Sequence, residues 1–154
     1  MNRDACGAGL TIGTDLVEVA QVAQSLATFR DRYLARVFTQ EEIAYCLSRG
    51  PESARHLAAR FAAKEATFKA LRAADQASDW RSVEVRRRAD GSCEIVLHGS
   101  MRALADRLDV GVLSVSMSHD GAYASAVVVG QRRQSRCAPV SRLWRKKPRG
   151  AYER

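Results

Sequence analysis

Nothing in the 154 residues approaches the ~20 consecutive apolar positions that a membrane-spanning helix needs. The first ten residues, MNRDACGAGL, lack the apolar segment of a secretory signal. The four cysteines (Cys6, Cys46, Cys93 and Cys137) form no CxxC pair and stand far apart, which excludes a disulfide framework and argues against zinc. Reduced thiols in a cytoplasmic protein are the expectation. No P-loop, GxSxG, HExxH or glycine-rich dinucleotide turn is present, and Gly7-Ala8-Gly9 is too short to serve as one. No cysteine has a convincing histidine partner, so thiol nucleophilic catalysis is set aside. Internal repeats are absent too.

What is present is one domain's worth of chain, 46% apolar, with a net charge of +8. That charge is unevenly placed. Residues 131–154 hold nine of the 25 Lys and Arg and one of the 17 acids, leaving 16 of each sign in residues 1–130. The expected organisation is a neutral domain over 1–130 and a basic, flexible tail over 131–154, with Leu143-Trp144 as a short anchor. A basic tail favours an acidic surface, and a nucleic-acid-binding module is one rival reading. The neutral part shows no aromatic-plus-basic strand surface of the kind that reads RNA, so specific nucleic-acid binding is not expected.

The chain is organised around residues 57–71, LAARFAAKEATFKAL, an alanine-rich run without Gly or Pro that predicts a helix. Pro51 and Ser53 start it, and it is expected to reach about Ala74. Leu57, Phe61, Phe68 and Arg72 mark one face, with Glu65 inside the stripe and Lys69 four residues on. Upstream, 10–13 reads as a short strand and 16–29 as a helix, which puts Asp15 at the handover. Thr39 and Glu42 form a capping box for a further helix that Gly50-Pro51 ends. Beyond Asp75 the period becomes two. Residues 83–87 and 93–97 predict a hairpin with a type I′-compatible Asp90-Gly91 turn. A short helix with Met101, Leu104, Ala105 and Leu108 buried follows. Strands over 110–117 and 123–129 come last, joined by 118–121. The fold class is α+β: an antiparallel sheet packed around a long central helix.

Three polar residues stand out on this frame. Asp15 reads as a helix N-cap or a ligand carboxylate. Glu65 reads as half of a surface Glu–Lys pair or as a carboxylate held in a cleft. His119, in the last hairpin's loop, reads as solvated or functional. Two carboxylates from separate elements suit Mg²⁺, which takes one or two and completes its shell with water and substrate phosphates. Lys64 and Lys69 flank Glu65, and Arg60 lies on the adjacent turn, so phosphate oxygens would find cations nearby.

Four blocks, GTDLVEV at 13–19, FTQEE at 38–42, ARFAAKEATFKAL at 59–71 and SVSMSHDGAYASAVV at 114–128, carry a resemblance. In order and spacing they resemble the small, acyl-carrier-protein-synthase type of 4′-phosphopantetheinyl transferase, over about residues 9–130. The resemblance implies transfer of 4′-phosphopantetheine from coenzyme A to a serine of an apo acyl or peptidyl carrier protein, with release of 3′,5′-ADP. By position it implies that Asp15 and Glu65 hold Mg²⁺ with the coenzyme A diphosphate and that Lys69 contacts the phosphates. It makes Asp15, Glu65 and Lys69 catalytic, with Glu65, directly or through a water, the candidate base. It places Arg60, Lys64 and His119 along the coenzyme A site. It also implies an acidic carrier as partner and a homotrimer with active sites between subunits. Two departures show. Family members often carry basic residues on the first helix, where this chain has Val19-Ala20-Gln21-Val22, and the tail is long and basic. The tail is therefore expected to supply part of the attraction for the carrier. A catalytically silent family member is the remaining rival, and the intact Asp15, Glu65 and Lys69 argue against it.

Overall fold

The computed structural model describes residues 9–73 and 79–133. Of the expected basic tail only 131–133 are described, with Gln131 and Arg132 in the last strand, and the other readings made for it, Leu143-Trp144 included, lie outside the described residues. Strand β1 (Leu10–Glu18) leads into α1 (Val19–Val37), α2 (Gln40–Leu47), a 3₁₀ turn at Gly50–Glu52 and the central α3 (Ser53–Ala70). After a second 3₁₀ turn at Trp80–Ser82 come β2 (Val83–Arg87), β3 (Cys93–Leu97), α4 (Gly99–Arg107), β4 (Val110–Asp120) and β5 (Tyr123–Arg132). The five strands form one sheet in the order β1-β5-β4-β3-β2, and every neighbouring pair is antiparallel. Among the described residues no helix is long and apolar enough to cross a membrane.

Helix α3 lies across one face of the sheet, and small side chains bring it close. Ala58, Ala59, Ala62, Ala63, Ala66 and Ala70 are buried on the helix, facing a sheet layer that buries Val17, Ala124, Ala126 and Val128. On its other side Phe61 stacks on Trp80 with centroids 5.0 Å apart, and Phe68 meets the same ring edge-on at 5.1 Å. A helix apolar nearly all round is a buried helix. The stripe of Leu57, Phe61 and Phe68 is therefore only part of the buried surface. A second cluster (Phe68, Leu71, Val83, Met101, Leu104, Ala105 and Val110) seats α4 against the end of the sheet.

Several boundaries differ from the sequence expectation. β1 does not stop at Thr14 but pairs with β5 from Leu10↔Gln131 to Glu18↔Tyr123. Its alternation continues through Asp15, which is thus mid-strand and caps no helix; Glu18 occupies the N-cap position. α1 is two helical pieces joined at Arg30 (φ 43°, ψ −123°), a conformation costly for a non-glycine residue; the first ends near the expected residue 29 and the second reaches Val37. α3 ends at Ala70 because Arg72 turns left-handed (φ 53°). Ala73 N–H then donates to Phe68 O and Arg72 N–H to Lys69 O, a Schellman closure. In the β2–β3 hairpin only Gly91 has positive φ, so the turn is not type I′. Arg88 N–H donates to Ser92 O and Gly91 N–H to Arg88 O, giving a three-residue loop with glycine at the left-handed position. The last hairpin turns at Gly121-Ala122, and His119 is on β4 instead of in a loop.

Candidate active site

The alternation of β1 aims Asp15 at α3, where Glu65 and Lys69 occupy successive turns. Lys69 Nζ donates to Asp15 Oδ1 at 2.7 Å and to Thr14 O at 3.1 Å. The Asp15 side chain keeps only 16% exposure against 48% for Lys69. Glu65 is half-buried, and its carboxyl is pushed above the ordinary glutamate range, by burial first and by the Asp15 charge second, with Lys69 opposing both. The strand and the helix thus bring together Asp15, Glu65 and Lys69.

Mg²⁺ is testable against this donor set. Among the described residues no group of three or more His, Cys, Asp and Glu gathers at one point. Asp15 and Glu65 supply two carboxylates, which fits an ion that takes the rest of its shell from water and phosphate oxygens. Their electrostatic coupling, felt in the raised Glu65 carboxyl, is what a cation between them would relieve.

A pH dependence follows. The folded carboxyl of Glu65 binds its proton above the ordinary glutamate value of 4.5, so the folded state holds that proton more tightly than the unfolded one. Stability from this group is therefore present at low pH and is lost as pH rises from that value through the folded one. Metal-free Glu65→Gln should gain melting temperature relative to the unsubstituted protein across that rise. Thermal melts in chelator between about pH 4 and 7 read the difference, and a constant offset would show no shift at Glu65.

Arg60 and His119 belong to a different cluster. The Arg60 guanidinium lies 4.2 Å from the Tyr45 ring centroid, and Arg49 stands over the same ring at 4.4 Å. Arg87 Nη1 donates to the Tyr45 hydroxyl at 2.8 Å. The His56 ring meets Tyr45 edge-on at 5.8 Å and His119 at 5.5 Å. Burial, then His119, Arg60 and Arg49, hold the His56 pKa below the ordinary histidine value. Arg60 is 3% exposed, and among the described residues its Nε finds no partner. Three guanidiniums on one ring suit an anion. The sequence reading missed Tyr45, Arg49, His56 and Arg87. The four-residue steps Tyr45–Arg49 and His56–Arg60 were the available signal.

Lys64 requires a correction. It was expected along the coenzyme A site, but its side chain is fully buried. Its Nζ pairs with Glu42 Oε2 at 2.9 Å and donates to the carbonyls of Trp80 and Val83. Glu42 also accepts from Val85 N–H at 2.9 Å and closes the Thr39 capping box. Helical spacing places residues 64 and 65 about 100° apart, so only one of two neighbours can face the cleft. Cys46 is buried as well, which pushes its thiol up to about 11 and removes it as a nucleophile.

A family model described as ACPS, the 4′-phosphopantetheinyl transferase superfamily, matches residues 11–128, from β1 to the middle of β5. The chain belongs to this superfamily. The matched span contains Asp15, Glu65 and Lys69, and His119 of the second cluster. Among its relatives, a holo-[acyl-carrier-protein] synthase of Moorella thermoacetica is 44% identical over 120 residues, 78% of this chain and 92% of the relative. One from Koribacter versatilis is 40% identical over 121 residues, with 78% and 96% covered. Among solved structures, an ACPS–CoA complex from Chronobacterium ammoniagenes superposes with a TM-score of 0.70 at 29% identity, covering 81% of this chain and 98% of that one. The transferase is thus of the holo-acyl-carrier-protein synthase type, and its fold is that of the family.

Proposed function

We propose that this transferase moves 4′-phosphopantetheine from coenzyme A to a serine of an acidic apo acyl carrier protein, with Mg²⁺ held by Asp15 and Glu65 and 3′,5′-ADP released. The observation that carries the metal reading is the convergence of two carboxylates and Lys69 at the β1–α3 seam. Bound there with the diphosphate, Mg²⁺ would neutralise phosphate charge. The carrier serine Oγ bonds to the phosphorus that bears the pantetheine arm, and the bond from that phosphorus to the bridging oxygen of 3′,5′-ADP breaks. Glu65, directly or through a water, takes the proton that serine gives up. Lys69 leaves Asp15 for the phosphate oxygens and stabilises charge on the departing ADP. The cationic ring of Arg49, Arg60 and Arg87, with His119, lines the coenzyme A site.

The carrier meets α1. The second helical piece of α1, beyond the kink at Arg30, carries Arg32 and Arg36, which with Phe29 and Tyr33 line an open groove of about 440 Å³. Apolar rings between two guanidiniums fit an acidic amphipathic partner. Arg32→Glu with Arg36→Glu should raise the KM for the carrier about tenfold at low salt, an effect that shrinks as salt screens it. An unchanged KM would move the docking surface elsewhere.

A homotrimer accounts for the outward face of the sheet. Leu10, Ile12, Leu16, Val112, Tyr123 and Val127 are all exposed there, among Ser114, Ser116 and Ser118. Apolar side chains gathered on one exposed face mark an interaction surface. The cytoplasm is the compartment that fits reduced cysteines. One experiment tests the reaction and partner together: incubation with coenzyme A, Mg²⁺ and apo carriers of fatty-acid and polyketide synthesis, followed by intact mass. Gain of the phosphopantetheine mass by a carrier serine, dependent on Mg²⁺, is expected. Carriers that stay at their apo mass would overturn the proposal.

A further inference from the structure

Gly13 lies on the inward face of β1, two residues before Asp15 and opposite Val128 of β5. A Cβ built on it would stand 1.9 Å from the Ala66 carbonyl oxygen, 2.7 Å from the Ala70 nitrogen and 2.9 Å from the Ala66 carbonyl carbon. All three are backbone atoms of α3, so no rotamer can relieve the clash. Real Cβ atoms essentially never come within 3.0 Å of a neighbour, so any side chain here drives β1 and α3 apart by about 1 Å or more. Its φ is not in the left-handed region, so the need for glycine comes from contact, not from backbone conformation. Ala66 and Ala70 each directly follow one of the functional residues, Glu65 and Lys69. Asp15 is the next inward residue on the strand, already bonded to Lys69.

We infer that Gly13 is a positioning residue: by letting the β1 backbone rest on α3, it sets the gap across which Asp15 and Glu65 share a metal. The inference builds on the metal reading proposed above and adds a residue that touches neither metal nor substrate. Displacements of about 1 Å at a reacting centre can cost 10²-fold in rate, whereas a residue important only for packing would lower stability in step with other core residues.

The test uses the full chain with coenzyme A and Mn²⁺ as a spectroscopic stand-in, bound metal being read by electron paramagnetic resonance. Asp15→Asn reports on the metal reading itself, and Gly13→Ala on the gap. Met101→Ala, in the second core cluster, serves as a destabilised control away from the seam. Expected is at least a tenfold loss of Mn²⁺ affinity in Gly13→Ala and about a 10²-fold fall in kcat, with the carrier KM within twofold. Met101→Ala should lose melting temperature but keep its Mn²⁺ affinity. Unchanged Mn²⁺ affinity in folded Gly13→Ala, alongside a loss in Asp15→Asn, overturns the positioning role alone. Equal loss in Met101→Ala also overturns it. Equal affinity in Asp15→Asn and the unsubstituted protein overturns the metal reading, and the inference with it. Should Gly13→Ala not fold, Val17→Leu supplies a gentler wedge at the same seam. A severalfold loss of Mn²⁺ affinity there supports the inference, and none overturns it.

Discussion

Glu65→Gln should leave a folded protein whose phosphopantetheine transfer has fallen by about 10³-fold or more. The substitution keeps the shape of the side chain and removes both a metal oxygen and the proton acceptor. A lost general base alone is worth about 10²–10⁴-fold, and a lost charge on the metal adds to it. Folding should not suffer, because a half-buried carboxyl that faces Asp15 is disfavoured in its charged form, as its raised pKa records. Single-turnover formation of holo carrier, measured beside a thermal melt, separates the two effects. Near-normal turnover with Mg²⁺ would sink the assignment of Glu65.

Lys64→Met should do the reverse, costing stability long before it costs coenzyme A binding. Lys64 and Glu42 are both essentially unexposed, and each answers several backbone groups as well as the other. Removing one member strands the other's charge in the interior, a loss of about 3–5 kcal/mol. For a domain of this size that lowers Tm by roughly 10 °C. Lys64→Met with Glu42→Leu should recover part of the loss, since no lone charge then remains. At a temperature where Lys64→Met is still folded, its KM for coenzyme A should stay close to that of the unsubstituted chain. A large KM change with little loss of Tm would return Lys64 to the binding surface. Lys69→Met makes the contrast, being half exposed and bonded only to the seam.

The Lys64 outcome shows where sequence legibility ends. Periodicity found α3, the capping box, both hairpins and the buried face of α4, because those features are written in local spacing. Asp15, Glu65 and Lys69 were legible because charged residues interrupt apolar patterns. Lys64 interrupts the same pattern, and nothing local distinguishes a lysine bound to a buried Glu42 from one facing phosphate. Its partner is 22 positions upstream and its carbonyl acceptors are 16 and 19 downstream. The extent of β1 was hidden for a related reason. Leu16 and Val17 suit either structure, and pairing with a strand more than 100 residues away decided between them. The first helical piece of α1 ends at Arg30, near the expected boundary, and what was missed is the second piece that follows the kink. With it went the Arg32–Arg36 surface. The cluster on Tyr45 draws on α2, α3 and β2, and no single stretch contains it.

The alanines of α3 have one more consequence, which concerns motion. A methyl group has no rotamers, so the interface of Ala58, Ala62, Ala63 and Ala66 with the sheet has almost no side-chain conformations to sample. A leucine-rich seam of equal area would let the helix shift as side chains hop between wells. Here the fluctuations left to α3 are those of whole backbones against one another, which are stiffer and slower. Glu65 therefore rides on a quiet support. The mobility needed to admit and release a large cofactor is left to the long side chains at its edge, Lys69 first among them.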